Sequence, residues 1–281
     1  MSVKTEQIIV SLTTWSARIN NIPVVLDTIF AQSLLPDKVV LNLAYNEVIP
    51  ANVQTYINNH DIDIYRTEDT KVYKKFLPTL KRFKDACIIN IDDDLLYPNT
   101  MIEDFWETHL RYPNHPICGN HMFIFGRMCH CGEASLTKYE YFGDYLNYID
   151  WDIMRNCTSS DLVFTYFATK SGHPYVPSKG YYGNGVTESY NPTNGWSDNV
   201  NSYEKLSQSF KYLEQRFGTL PELFSTYVKD CNLLDIIVQL NELLVLESNE
   251  KIYSETEKRI RNSKAYRLGS LLLTPFSWIR T

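Results

Sequence analysis

Four short apolar runs, separated by segments of helical periodicity, fill the first hundred residues, and the fourth runs straight into Asp92-Asp93-Asp94. The runs are Ile8–Leu12, Lys38–Leu43, Ile62–Tyr65 and Cys87–Ile91. Each is short and rich in β-branched residues, as buried strands are. Between them, Val25, Leu26, Ile29 and Phe30 recur at helical spacing within residues 23–32, and residues 51–59 form a second helical segment. In a third, over 73–84, Tyr73, Phe76, Leu77, Leu80 and Phe83 share one face. Pro78 lies inside it and must start or kink that helix. Strands alternating with helices imply βαβ units and a mainly parallel sheet flanked by helices, an α/β fold. In such sheets ligands sit beyond the carboxyl ends of the strands. The first run ends at Thr13-Thr14-Trp15 and the fourth at Asp92, so both ends belong to one rim.

Beyond residue 100 the pattern loosens. Residues 101–112 are expected to be helical and 117–145 mixed, with four glycines. A helix over 159–170 is opened by Ser159 or Ser160. Residues 178–200, rich in Gly, Asn, Ser and Tyr, are expected to form a long loop of the kind that serves as a lid or binding element. Helices are expected over 203–217 and 221–262.

The net charge of −6 argues against a nucleic-acid-binding surface. It is unevenly spread. Lys258, Arg259, Arg261, Lys264, Arg267 and Arg280 stand without any acid in residues 258–281, which leaves −12 on the remainder. The start carries no apolar signal segment, and no run of apolar residues is long enough to span a membrane. The six cysteines are therefore expected to be reduced thiols in a cytoplasmic protein.

Three adjacent carboxylates repel one another, and near a buried strand end they need a counter-charge. A hard divalent cation supplies it. Mg²⁺ combines one or two carboxylates with substrate phosphates, and Mn²⁺ takes the same ligands. Such an ion offsets charge on a departing diphosphate. The bland alternative is a solvated acidic turn, which the apolar Leu95-Leu96-Tyr97-Pro98 that follows disfavours. A calcium EF-hand loop needs Gly sixth and Glu twelfth; counted from Asp92 those positions are Tyr97 and Glu103. An aspartyl-phosphate phosphatase needs a hydroxyl residue soon after its second Asp, on the first strand, whereas Leu95 and Leu96 follow here on the fourth.

Ser11-Leu-Thr-Thr-Trp-Ser-Ala-Arg18, Gln32-Ser-Leu-Leu-Pro-Asp37, Lys74-Lys-Phe-Leu-Pro-Thr-Leu80 and Ile91-Asp-Asp-Asp-Leu-Leu-Tyr-Pro98 occur in that order. The set resembles bacterial glycosyltransferases of the GT-A fold, of the family 2-like type associated with polysaccharide and lipopolysaccharide assembly. The resemblance implies a Rossmann-like GT-A domain over residues 1–218, with a nucleotide-sugar half (1–100) and an acceptor half (101–218), followed by C-terminal helices and a basic amphipathic tail over 219–281. It also implies a UDP- or GDP-sugar donor, Mn²⁺ or Mg²⁺ on Asp92 and Asp94, and Asp93 between them. Thr13, Thr14 and Arg18 would border the nucleotide, and Lys75 would reach a phosphate or ribose, or else be an ordinary surface lysine.

Inverting members of that family need a general base to take the acceptor's proton. Asp161, in Thr158-Ser-Ser-Asp-Leu-Val-Phe164, fits best, although the first acid of the family's pair is Ser160 here. Asp161 can equally be a helix-starting carboxylate favoured by the N-terminal dipole. Asp150 and Asp152, flanking Trp151, are the reserve candidates. Cys129-His130-Cys131 with Cys118 lacks zinc-ligand spacing, and His121 lines the acceptor side or touches the metal.

The last segment, Asn262 to Arg280, resembles the tails of such enzymes. Its cations stand beside Leu271, Leu272, Leu273, Phe276, Trp278 and Ile279. That suits the inner face of an anionic membrane and a glycan or lipid-linked glycan acceptor; the alternative is docking on the chain's own acidic body. Two other functions share the aspartates: a metal-dependent phosphohydrolase or nucleotidyltransferase, and a non-catalytic carbohydrate-binding protein.

Overall fold

The computed structural model describes residues 6–119, 123–124, 128–129, 131–178 and 202–220. The chain divides into two compact units. One comprises residues 1–122 and 129–220, and the other 123–128 and 221–281. The expected 178–200 loop beyond residue 178, the 221–262 helices, the 258–281 tail, His121 and His130 lie outside the described residues.

The first unit is built on a seven-stranded sheet. Its strands are β1 (Ile8–Thr13), β2 (Lys38–Ala44), β3 (Asp63–Thr67), β4 (Cys87–Ile91), β5 (Ile117–Cys118), β8 (Ala134–Thr137) and β9 (Val176–Pro177). Two further short strands, β6 (Phe123–Ile124) and β7 (Met128–Cys129), pair as a separate ladder. The order in the large sheet is β3-β2-β1-β4-β8-β5-β9. β1 pairs parallel with both β2 and β4, and β2 with β3. β8 runs antiparallel to β4 and to β5.

The helices are α1 (Ile22–Phe30), α2 (Ala51–Asn59), α3 (Leu77–Arg82), α4 (Met101–Arg111), α5 (Trp151–Asn156), α6 (Ser160–Lys170) and α7 (Ser202–Phe217). The α/β architecture expected from the alternation is present, and β4 occupies the expected residues. β1 and β4 are apolar along almost their whole length because both faces of a parallel interior strand are covered.

One expected helix is broken. Residues 73–84 divide into a 3₁₀ turn (Lys71–Lys75) and α3, with Pro78 in the first turn of α3. Proline has no N–H to donate and is tolerated only where that donor would be unmatched. The break leaves Lys74 and Lys75 at the end of the 3₁₀ turn, both buried.

A polar knot ties that turn to the sheet. Ser11 Oγ donates to Lys75 O at 2.6 Å and lies 2.7 Å from Thr79 Oγ1. Asn42 Nδ2 donates to Ser11 Oγ and Thr79 Oγ1, each at 3.0 Å. All three side chains are buried. The Gln32 segment has a similar task. Gln32 Nε2 donates to Pro98 O and its Oε1 accepts from Ile102 N, while Asp37 Oδ2 accepts from Ile8 N. These bonds tie the end of α1 to the β4–α4 connection and the start of β1.

The chain leaves β1 toward β2 and β3 on one side and later adds β4 on the other. That reversal of strand order opens a crevice at the carboxyl ends of β1 and β4. Thr13, Thr14 and Asp92 stand on that rim.

Candidate active site

The three aspartates leave β4 in different directions. Asp92 Oδ1 accepts from Lys75 Nζ at 2.6 Å. Asp93, largely buried, accepts from Thr14 Oγ1 at 2.6 Å and from Arg18 Nη1 at 3.1 Å. Asp94 Oδ2 pairs with the same Arg18 nitrogen at 2.8 Å. Asp93 thus anchors the β1–α1 loop. The other oxygens, Asp92 Oδ2 and Asp94 Oδ1, carry no bond from another side chain among the described residues.

Tyr97 holds the cluster's backbone. Its hydroxyl accepts from Asp92 N at 2.8 Å and donates to Glu133 O at 3.1 Å. Only an apolar context was visible for Tyr97 in the sequence; no local pattern marks its hydroxyl as the acceptor for the strand's last free N–H.

Lys75 reaches across to a third element. Its ammonium lies 3.0 Å from Asp161 Oδ1 and rests over the Phe76 ring at 5.3 Å. Phe76 stacks on Phe164 of α6 at 4.2 Å. The side chain is therefore boxed between aromatic packing and two carboxylates, far from a surface lysine. Burial alone would lower its pKa; Asp161 and Asp92 outweigh that and raise it above the ordinary lysine value.

Asp161 sits in the first turn of α6, but the cap belongs to Ser159, whose Oγ accepts from Leu162 N at 3.3 Å. Cys131 Sγ donates to the Asp161 carbonyl at 3.2 Å. The Asp161 carboxylate faces Lys75. Asp150 and Asp152 are engaged elsewhere. Asp150 caps α5 and pairs with Arg216 Nη2 at 2.8 Å, and Asp152 pairs with Arg216 Nη1 at 3.1 Å. Thr13 Oγ1 donates to Asn42 O at 2.7 Å, so its hydroxyl serves the sheet. Trp15 is half exposed, and its carbonyl accepts the Arg18 and Ile19 N–H groups that turn the loop.

Four carboxylates (Asp92, Asp93, Asp94, Asp161) face two cations (Lys75, Arg18), a local imbalance of two negative charges. The electrostatics register it. Burial raises Asp92 to about 7; Lys75 opposes the rise, and Asp161 and Asp94 add to it. Burial also raises Asp94 against the pull of Arg18. A divalent cation matches both the missing charge and the hard oxygen donors of Asp92 and Asp94 that no other side chain engages among the described residues.

The sequence matches no family model and no curated protein. Among solved structures, the chain is similar to a mannosyltransferase from Pyrobaculum calidifontis in complex with GDP-Man and Mn²⁺. The identity is 16% and the TM-score 0.59, over 97% of this chain and 85% of that one. The fold is GT-A. Weaker likenesses, with TM-scores of 0.46 and 0.43, are to glucosyl-3-phosphoglycerate synthase from Mycobacterium tuberculosis (10% identity, 77% of this chain and 81% of that one) and to a 4-diphosphocytidyl-2C-methyl-D-erythritol synthase (9%, 73% and 99%). In this GT-A chain the aspartates close the strand beside β1, at the strand-order reversal where ligands of open α/β sheets bind.

Proposed function

We propose that this protein is a metal-dependent glycosyltransferase that moves a sugar from a UDP- or GDP-sugar to a hydroxyl of a glycan or lipid-linked glycan. The observation that carries this is the arrangement at the crevice: two carboxylates each with an oxygen that no other described side chain engages, an excess of two carboxylates over cations, and Lys75 joining Asp92 to Asp161. Mg²⁺ or Mn²⁺ held by Asp92 and Asp94 would offset charge on the diphosphate leaving group. The GDP-Man and Mn²⁺ of the Pyrobaculum mannosyltransferase make GDP-mannose with Mn²⁺ the first pair to test.

The chain's own groups divide the remaining work. Asp93, through Thr14 and Arg18, fixes the loop that borders the nucleotide, with Trp15 beside it as a flat face for the base. Lys75 orients Asp161 and presents positive charge to the phosphates. Asp161 takes the proton of the acceptor hydroxyl as that oxygen bonds to the anomeric carbon. The bond from that carbon to the diphosphate oxygen breaks, and its electron pair leaves with the nucleoside diphosphate. Attack opposite the leaving group inverts the anomeric centre.

Residues 1–218 form the catalytic domain in this proposal, with a nucleotide half (1–100) and an acceptor half (101–218). Residues 219–281, whose tail joins cations to Leu271, Phe276 and Trp278, would hold the enzyme at the inner face of the cell membrane for surface polysaccharide assembly. Among the described residues no helix is long and apolar enough to cross a membrane.

The test is a screen of nucleotide sugars by thermal shift with Mn²⁺, followed by product analysis. The expected result is stabilisation by one donor and release of nucleoside diphosphate without free phosphate or pyrophosphate. Release of phosphate or pyrophosphate would favour the hydrolase or nucleotidyltransferase, and absence of any nucleotide binding would favour the non-catalytic protein.

A further inference from the structure

A second set of titratable groups meets at the opposite end of β1 and β4. Glu6 precedes β1, Cys87 opens β4, and His109 lies in the last turn of α4. Cys87 Sγ is 3.4 Å from Glu6 Oε2 and 3.8 Å from His109 Nε2. His109 Nε2 is 3.6 Å from Glu6 Oε1. Among the described residues, this trio of ligand-bearing side chains has all its ligand atoms within 4.8 Å of one another. Five strand residues at about 3.3 Å each separate it by roughly 16 Å from Asp92.

We propose that Glu6, Cys87 and His109 form a zinc site that fastens the start of β1, the start of β4 and the end of α4. Tetrahedral zinc, with bonds of about 2.0–2.3 Å, holds its donor atoms roughly 3.3–3.8 Å apart. Cys87 Sγ and His109 Nε2 stand 3.8 Å apart, at the edge of that range, and face different oxygens of Glu6; with one Glu6 oxygen as donor the three atoms lie within 4.8 Å of one another, so a turn of the Glu6 carboxylate closes the set. Thiolate, imidazole and carboxylate are the three donor types zinc takes in proteins. The fourth position falls to water, which reaches the site from Glu6, the half-buried member of the trio.

Protonation is compatible. Burial lowers the His109 pKa, with Glu6 opposing, which keeps the ring neutral and able to ligate. Nε2, which faces Glu6 and Cys87, is the nitrogen that would ligate, and the ring proton then moves to Nδ1, where no other group is hydrogen-bonded. Burial, reinforced by Glu6, pushes the Cys87 thiol up, so it stays protonated until a cation arrives. On binding, the S–H bond breaks, its electron pair goes to the metal and the proton to solvent. Charge then closes. Lys138 lies 3.0 Å from Glu6 and 2.7 Å from Glu140. Zinc and Lys138 together balance the Cys87 thiolate, Glu6 and Glu140, and Lys138 keeps Glu140 when Glu6 turns to the metal.

The test uses the full-length, metal-stripped protein titrated with Co²⁺, a spectroscopic substitute for zinc. The expected result is a thiolate-to-cobalt charge-transfer band that saturates at one equivalent. Asp94→Asn retains the band and Cys87→Ser loses it with an unchanged far-ultraviolet circular dichroism spectrum. Glu6→Gln, at the most exposed ligand, weakens Co²⁺ binding by about tenfold or more. Absence of a thiolate band at saturating Co²⁺ overturns the proposal, as does a band that persists in Cys87→Ser. If Cys87→Ser fails to fold, unchanged Co²⁺ affinity in Glu6→Gln overturns it in the same way.

Discussion

Lys75 Nζ lies 3.0 Å from Asp161 Oδ1, and the same ammonium is 2.6 Å from Asp92 Oδ1. One buried cation therefore couples the end of β4 to the first turn of α6, which in the proposed reading are the donor and acceptor halves of the site. Removing it strands two carboxylates. Lys75→Met should cost about 3–5 kcal/mol of stability in metal-free protein, and lower kcat by about 100-fold or more. Lys75→Arg keeps the charge and should lose less of both. Denaturant unfolding with initial rates checks this, and an unchanged stability in Lys75→Met would show the pair contributes nothing.

Asp92 makes the stability of the metal-free protein depend on pH. Its folded pKa, raised to about 7, exceeds the unfolded value of about 3.9. The charged form is therefore the disfavoured one in the folded state. Its contribution is fully present below about pH 4 and is lost as pH rises toward and through 7. Relative to Asp92→Asn, the wild type should lose melting temperature over that window in chelator. Saturating Mn²⁺ should flatten the difference, because the ion replaces the proton.

Metal removal and the loss of a ligand should agree. Excess chelator should abolish transfer, and Asp94→Asn should reduce it by about 100-fold or more at fixed Mn²⁺. The Asp94→Asn protein should keep its circular dichroism spectrum. Full activity in that variant would remove Asp94 from the metal site.

Thr79 supports Lys75 without touching any of the four carboxylates. Its hydroxyl joins Ser11 and Asn42 in the buried knot below the 3₁₀ turn. Thr79→Val is nearly isosteric but leaves the Asn42 amide a partner short, at a cost of about 1–3 kcal/mol. Activity should fall and donor KM should rise, since the displaced group is Lys75, which in the proposed mechanism faces the donor phosphates as well as Asp161. Chemical denaturation and steady-state kinetics on one preparation test both parts.

Tyr97→Phe removes the acceptor for Asp92 N and the donor to Glu133 O. Stability should drop by about 1–3 kcal/mol. Mn²⁺ affinity should weaken about tenfold or more, because the group that orients the backbone of Asp92, the proposed ligand, is gone. Isothermal titration with Mn²⁺ measures the second effect.

Much of the layered fold was legible in the residues. Apolar runs such as Ile8–Leu12 and Cys87–Ile91 mark buried strands because strand and helix periodicities are local properties. Pro78 marks a helix start for the same local reason, although the 3₁₀ turn ahead of it carries no signature. Asp92, Asp93 and Asp94 announce a charge problem by adjacency alone. Their separate tasks were not visible. Asp93 turns inward to Thr14 and Arg18, and Asp92 meets Lys75, only because β1 and β4 are neighbours in the sheet.

Asp161 illustrates the division further. Both a cap and a base fit its position, and the structure gives the cap to Ser159 and turns Asp161 toward Lys75. Glu6, Cys87 and His109 carry no metal-ligand spacing and converge only through strand pairing and the docking of α4. The sequence by itself determined the order of strands and helices through β4 and the place where negative charge gathers, since both depend on near neighbours in the chain; β5, β8, β9 and α5 were not legible in it. Tertiary structure decided which cation meets which carboxylate, because an ion pair between distant residues exists only where strand order brings them together and burial keeps water from screening them.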